Sequence, residues 1–123
     1  MACLIITSTE QSGKHFHLTD RTMIAGRDPA RDIQLVDPKV SRRHFQIRKE
    51  NDRYILFEMK SANGVYINGR RIEGEYTLDD GDRIVVGDTV LTYYEQDVPD
   101  RTDAVQKHRQ ADRSLRDNQT LLD

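Results

Sequence analysis

The stretch Val40-Ser41-Arg42-Arg43-His44-Phe45 sets a hydroxyl, guanidinium groups and an imidazole side by side in the chain. It follows Asp37-Pro38 and runs into an alternating apolar segment, so it reads as a loop entering a strand. Guanidinium groups bring charge in a planar fork, and a hydroxyl with neighbouring loop amides brings short hydrogen bonds. That is the donor set a phosphate group needs when it leaves water. A serine near a histidine also suggests a nucleophile and its base. Positions i and i+3 of a strand face opposite sides, however, so Ser41 and His44 are expected to diverge, and a hydrolase is not the reading taken.

The elements that must hold this stretch follow from the rest of the chain. At 123 residues it has the length of one domain, enough to bury well over half of its unfolded surface without disulfides or metals. Lys and Arg number 19 against 21 Asp and Glu, a formal net charge of -2, which removes the general basic attraction that nucleic-acid or membrane binding needs. Any basic patch must be local. The single cysteine, Cys3, excludes an intrachain disulfide and reads as a small apolar residue in a reducing compartment. The N-terminus lacks the basic and apolar regions of a signal peptide, and no stretch is apolar for the length of a bilayer span. The expectation is a cytoplasmic protein.

From residue 3 to about 97 the pattern is short apolar or alternating runs between turn residues, the mark of an all-β sandwich or barrel. Strands are expected at residues 3–8, 15–18, 22–25, 33–35, 44–49, 54–58, 65–67, 83–86 and 89–94. Ser12-Gly13, Asn51-Asp52, Asn63-Gly64, Asn68-Gly69, Asp80-Gly81 and Gly87-Asp88 separate them, and most supply residues that tolerate positive φ. Alternation names Phe45, Ile47, Leu56, Ile84, Val86 and Leu91 as core. Residues 54–57 are apolar on both faces, which fits a strand covered on both sides or one lying next to the tail.

After Val98-Pro99 the composition shifts to Asp, Arg and Gln with no aromatic residue, so residues 1–97 are expected to form the domain and 98–123 a polar tail. Ala104, His108, Ala111, Leu115, Asn118 and Leu122 fall at alternating four- and three-residue steps, compatible with a short amphipathic helix. With alanine at two of the apolar positions, a solvated linker is the reading taken.

Around the opening stretch stand Ile24-Ala25-Gly26-Arg27 before it, then Ser61-Ala62-Asn63-Gly64-Val65, Asn68-Gly69 and Asp80-Gly81-Asp82-Arg83 after it. Singly, a Gly-Arg or an Asn-Gly is a turn. In this order, Gly-Arg, then Ser-x-x-His about fifteen residues on, then Asn-Gly, then a late Gly-Asp turn, the chain resembles the forkhead-associated (FHA) domain over roughly residues 3 to 96. The Asp32-Ile33-x-Leu35 segment is similar to bacterial members. The resemblance implies a sandwich of two mostly antiparallel β-sheets whose loops at one end bind phosphothreonine in a partner protein.

Carried to matching positions, the resemblance makes Arg27 the main guanidinium on the phosphate, Ser41 a hydroxyl donor, Arg42 a donor through its backbone amide, with its side chain as a further candidate, and Asn63 the group that holds the peptide backbone. His44 becomes a structural residue tying the loops together, while Gly26 and Gly64 serve the backbone. Arg43 is read as solvated, or as a rim contact at best. Ala62 stands where some members carry a threonine or serine; its amide would remain available, and the hydroxyl, if used, would come from Ser61. Lys39, two residues before Ser41, is the nearest basic candidate to read an acidic side chain three residues after the phosphothreonine, an attraction of about 1 kcal/mol or less in solvated loops.

Other constellations carry less. His15-Phe16-His17 has the spacing of two ligands on one strand face without a third, and Asp79-Asp80-Gly81-Asp82 lacks calcium-loop spacing and its terminal glutamate. No phosphate-cradling glycine loop of a nucleotide site occurs, and no cofactor is expected. The functional expectation is therefore a non-enzymatic phosphothreonine-binding module acting downstream of a Ser/Thr kinase, with a phosphate-independent scaffold or oligomerisation domain as the rival. Thr120-Leu121-Leu122-Asp123 places an acid three after a threonine, so the chain's own phosphorylated tail is a candidate ligand; a disordered tail of this length reaches roughly 25 to 30 Å.

Overall fold

The computed structural model describes residues 2–96, which contain eleven strands. They are β1 Cys3–Ile6, β2 His15–His17, β3 Met23–Gly26, β4 Ile33–Gln34, β5 Phe45–Glu50, β6 Arg53–Glu58, β7 Val65–Ile67, β8 Arg70–Ile72, β9 Glu75–Thr77, β10 Arg83–Val86 and β11 Thr89–Tyr94. One sheet runs β2-β1-β11-β10-β7-β8 and the other β4-β3-β5-β6-β9. All recorded pairings are antiparallel except β3 with β4. The all-β sandwich expected from the turn density is the fold observed. The expected tail, and with it Thr120, lies outside the described residues.

Nine of the strands match expected ones, with ends moved by one or two residues. The β8 and β9 strands were not expected. Their residues, Arg70-Arg71-Ile72 and Glu75-Tyr76-Thr77, are polar and exposed on one side, because β8 and β9 are edge strands with one neighbour each. The β7–β8 turn had left a signal: Asn68 and Gly69 both have positive φ, 53° and 85°, and join Ile67 directly to its partner Arg70. A two-residue turn of that kind requires a strand on each side.

The core lies between the sheets. Phe45, Ile47, Leu56, Ile84, Val86 and Leu91 are all at most 1% exposed and share one cluster with Leu4, Ile6, Ala25, Val65, Ile67 and Tyr93. The doubly apolar β6 has a third explanation beyond the two considered: Arg48 of β5 lays its guanidinium over Phe57, 4.0 Å from the ring centroid, and pairs across the strand with Ile55. Its long stem covers apolar surface while the charge stays wet.

Because Leu56 sits on a central strand with no exposure, Leu56→Ala should cost about 2–5 kcal/mol in chemical denaturation. Tyr66→Ala, at a side chain 36% exposed, should cost clearly less, on the order of 1 kcal/mol or below.

Candidate functional site

The loops that follow β3, β4 and β6 meet at one end of the sandwich, and backbone hydrogen bonds lock them before any side chain is considered. Past the end of the β3–β5 ladder, Arg27 N donates to Ser41 O at 3.0 Å and His44 N donates to Ala25 O at 2.8 Å. This contact is so close that only glycine fits at position 26. A Cβ there would fall 2.0 Å from the carbonyl oxygen of Arg42. The expected backbone role of Gly26 is thus a steric one, and it fixes where Arg27 starts.

Arg27 is anchored by its own Nε, which donates to Val40 O at 3.0 Å. Its two terminal amino groups have no partner among the described residues, so the guanidinium is aimed yet unsatisfied. The hydroxyl of Ser41 accepts the amide of Ala62 at 3.0 Å, which leaves its own proton to donate elsewhere. The Arg42 amide has no acceptor among the described residues, and the Arg42 and Arg43 side chains are exposed.

His44 holds this arrangement together. It is fully buried, with Nδ1 accepting the Ser41 amide at 3.0 Å and Nε2 2.7 Å from the Gly64 carbonyl oxygen. Accepting at Nδ1 places the proton on Nε2, so the ring is the neutral tautomer donating to Gly64 O. Burial lowers its pKa below the ordinary 6.5, although the Gly64 bond and the charges of Glu58 and Asp37 work the other way. The expectation that Ser41 and His44 diverge needs correction: residues 41–44 are loop, strand alternation does not apply to them, and the ring reaches the serine amide. The hydroxyl nevertheless pairs with Ala62, so no nucleophile–base pair forms.

Asn63 is exposed and donates from Nδ2 to Lys39 O at 2.7 Å, joining the third loop to the second. Gly64 follows with φ +79°, a conformation that suits glycine, and a Cβ there would lie 2.9 Å from the Arg71 guanidinium carbon. Two expectations about this loop fail. The Ala62 amide is not available, because it is held by Ser41 Oγ. The Ser61 hydroxyl accepts the Gly64 amide at 3.0 Å and lies 3.4 Å from Glu58 Oε2, so it closes the turn from inside.

Lys39 is exposed, and its ammonium lies 3.1 Å from Asp88 in the β10–β11 turn. Sequence reasoning missed the residue that sets this loop, Asp37. Only 3% exposed, it accepts the amides of Lys39 and Asp88 at 2.9 and 2.8 Å and the Thr89 hydroxyl at 2.8 Å. Burial alone would raise its pKa, but these hydrogen bonds and Lys39 outweigh it and leave the carboxylate more acidic than usual. The Asp-Pro pair and the i+2 amide bond are a turn signature visible in sequence; the burial is not. Arg71 was missed with its strand.

The site is therefore a set of loop tips bearing Arg27, Lys39, Arg42 and Arg43, with the Arg71 guanidinium of β8 beside Gly64, on a chain of net charge -2. A groove of about 800 Å³ lies at the other end of β5 and β6, beside Asp52, Arg53 and Tyr54. His15 and His17 stack on the β2 edge with ring centroids 6.2 Å apart, and no group of three or more metal-ligating side chains occurs among the described residues. No helix among the described residues is long and apolar enough to cross a membrane.

A β-sandwich that presents fixed, unsatisfied donors from the loops after β3 and β4, at one end, defines a class of anion-reading modules. Residues 23–87 match the family model of the FHA domain, and the chain belongs to that family. It is 37% identical over 92 residues to the oxoglutarate dehydrogenase inhibitor of Corynebacterium jeikeium, covering 75% of this chain and 63% of the relative, so the chain spans less than two thirds of that protein. A solved structure from an analysis of phosphothreonine-dependent FHA domain interactions superposes with TM-score 0.71 at 27% identity, covering 79% of this chain and 98% of the other. Mycobacterium tuberculosis EmbR, in complex with a low-affinity phosphopeptide, superposes with TM-score 0.72 at 31% identity over 79% of this chain and 25% of EmbR.

His44→Ala should cost about 2–4 kcal/mol in denaturation at pH 7.5. A folded pKa below 6.5 means that the neutral ring's contribution is complete above pH 6.5 and is lost as pH falls below it through the folded value. The gap between wild type and His44→Ala should therefore narrow at pH 5; a gap independent of pH would contradict the buried neutral ring.

Proposed function

We propose that this chain is a phosphothreonine-dependent binding module that recruits a protein phosphorylated by a Ser/Thr kinase. The observation that carries the reading is the set of donors left open at one point of the fold: the terminal amino groups of Arg27, the Ser41 hydroxyl and the Arg42 amide. In this reading Arg27 supplies the main charge, Ser41 and Arg42 supply short hydrogen bonds, and Asn63 holds the backbone of an extended peptide. Ala62 acts through Ser41, since a hydroxyl that accepts a hydrogen bond becomes a better donor. The phosphopeptide partners of related FHA domains support the same assignment. A partner protein is the ligand favoured; the tail threonine Thr120 falls outside the described residues.

A phosphate of charge near -2 is costly to desolvate, so several convergent donors are needed and each matters. Matched phosphothreonine and threonine peptides, titrated calorimetrically, should differ strongly in favour of the first. Arg27→Ala should weaken the phosphopeptide at least about thirtyfold. Equal affinity for the two peptides would favour the phosphate-independent scaffold instead.

Lys39 remains the proposed reader of the third residue after the phosphothreonine, with its charge partly offset by Asp88. An acidic residue there should help only slightly in the wild type, and Asp88→Asn should enlarge that gain. An oriented peptide library with an aliphatic preference unchanged by Asp88→Asn would remove Lys39 from this role.

A further inference from the structure

Beside the loops that carry Arg27, Ser41 and Asn63 lies a guanidinium to which the proposed function gives no task. Arg71 of β8 is exposed, and none of its side-chain donors has a partner among the described residues. Strand register sets it opposite Tyr66 of β7. Val65 and Ile67 of β7 belong to the core and Ile72 of β8 packs against it, so the alternate residues Tyr66 and Arg71 share the outer face of the sheet.

From that face the arginine stem runs toward the loop end. Its guanidinium lies at Gly64, two residues before Tyr66 and about 7 Å along the chain. A Cβ on Gly64 would fall 2.9 Å from Cζ, 3.0 Å from Nε and 3.0 Å from Nη2. Distances so nearly equal mean that the flat face of the guanidinium, rather than its edge, is turned to the glycine. Its N–H groups therefore point along the surface, where a carboxylate can accept two of them at once.

The sheet order gives this guanidinium a direction. In β11-β10-β7-β8 the β10–β11 turn, where Asp88 meets Lys39, lies on one side of β7 and Arg71 on the other. Asn63 stands between them, bonded to Lys39 O and one residue before Gly64. This inference rests on the phosphothreonine reading, in which Asn63 holds the peptide backbone and Lys39 meets the third residue after the phosphothreonine. The residues before the phosphothreonine then run toward β8. One strand spacing is about 4.8 Å, the length of one or two residues of extended peptide.

We propose that Arg71 is a specificity-determining residue that binds a carboxylate side chain one or two positions before the phosphothreonine. Lys39 has its charge partly offset by Asp88 at 3.1 Å, whereas no acid among the described residues pairs with Arg71. The planar fork of a guanidinium also matches a carboxylate in a way that an ammonium does not. Tyr66, 36% exposed beside it, offers apolar surface to the stem of the incoming acid.

The test uses the full 123-residue chain and two phosphothreonine peptides, one with glutamate and the other with glutamine at both positions before the phosphothreonine. In calorimetric titration the glutamate peptide should bind about threefold tighter. Arg71→Gln should abolish that gain while leaving the affinity for the glutamine peptide in place, and Arg71→Lys should retain part of it. Equal affinities in the wild type, or a gain that survives Arg71→Gln, would overturn the proposal. An equal loss for both peptides in Arg71→Gln would overturn it too, by making Arg71 a support of the loop. A second readout needs no variant: the Arg71 Nε–H resonance should move further with the glutamate peptide than with the glutamine one, and equal shifts overturn the proposal. Any of these failures with both phosphopeptides still bound leaves the phosphothreonine reading standing. If unphosphorylated threonine peptides bind as tightly as the phosphorylated ones, that reading fails and this inference falls with it.

Discussion

The loop end of this molecule depends on one buried imidazole. His44 accepts the Ser41 amide on one nitrogen and donates to the Gly64 carbonyl on the other, spanning two loops that are twenty residues apart in sequence. A short loop carries few apolar contacts of its own, so something must offset the entropy of holding it in a single shape. Two hydrogen bonds sheltered from water do this better than two on the surface, since the alternative is a buried donor and acceptor left unmatched. The neutral tautomer is essential to the bridge. A charged ring would have no lone pair to offer the serine amide, and burial already disfavours the charge.

Around that bridge the remaining constraints act on the backbone. The missing side chain of Gly26 lets the Arg42 carbonyl approach, and the buried carboxylate of Asp37 gathers two amides and a hydroxyl so that Lys39 and Asp88 meet above it. None of these groups is aimed at a ligand. Their effect is to fix the start of Arg27, the turn bearing Ser41 and Arg42, and the position of Asn63. Donors fixed in advance lose less freedom when a ligand binds than donors that must be collected.

The fold was legible where periodicity and turn chemistry agreed. Alternation in β5 and β10 gave the correct inward residues, and the Asn-Gly and Asn-Asp pairs marked real turns with positive φ. The β8 and β9 strands escaped because exposed edge strands have no apolar face to show, although the Asn68-Gly69 turn demanded the first of them. At the site, residue types and order identified Arg27, Ser41, Asn63 and His44 as a group. What they did not reveal was which amide points where: Ala62 bonds the serine rather than standing open, and Ser61 closes its own turn. Those are consequences of three-dimensional loop closure, to which a linear pattern is blind. Asp37 escaped for a related reason, since its sequence context describes a surface turn and its burial comes from β11.

The local charge follows from the same architecture. A chain with more carboxylates than basic groups would repel a phosphate at long range if its charges were evenly spread. At the loop tips, however, the nearby carboxylates are engaged: Asp37 is buried under three hydrogen bonds, Asp28 lies 3.9 Å from Arg31, Asp88 pairs with Lys39, and Glu58 accepts the Ser61 amide. The guanidinium ends of Arg27, Arg42, Arg43 and Arg71 have no such acid among the described residues. A field of that kind is short in range, because the Debye length at physiological salt is about 8 Å. It favours an anion already brought to the loops by a partner's peptide, and it gives little steering to free phosphate or to polyanions from a distance. On the proposed function, selectivity for a phosphate in a peptide context would combine this short-range charge with a backbone contact from Asn63.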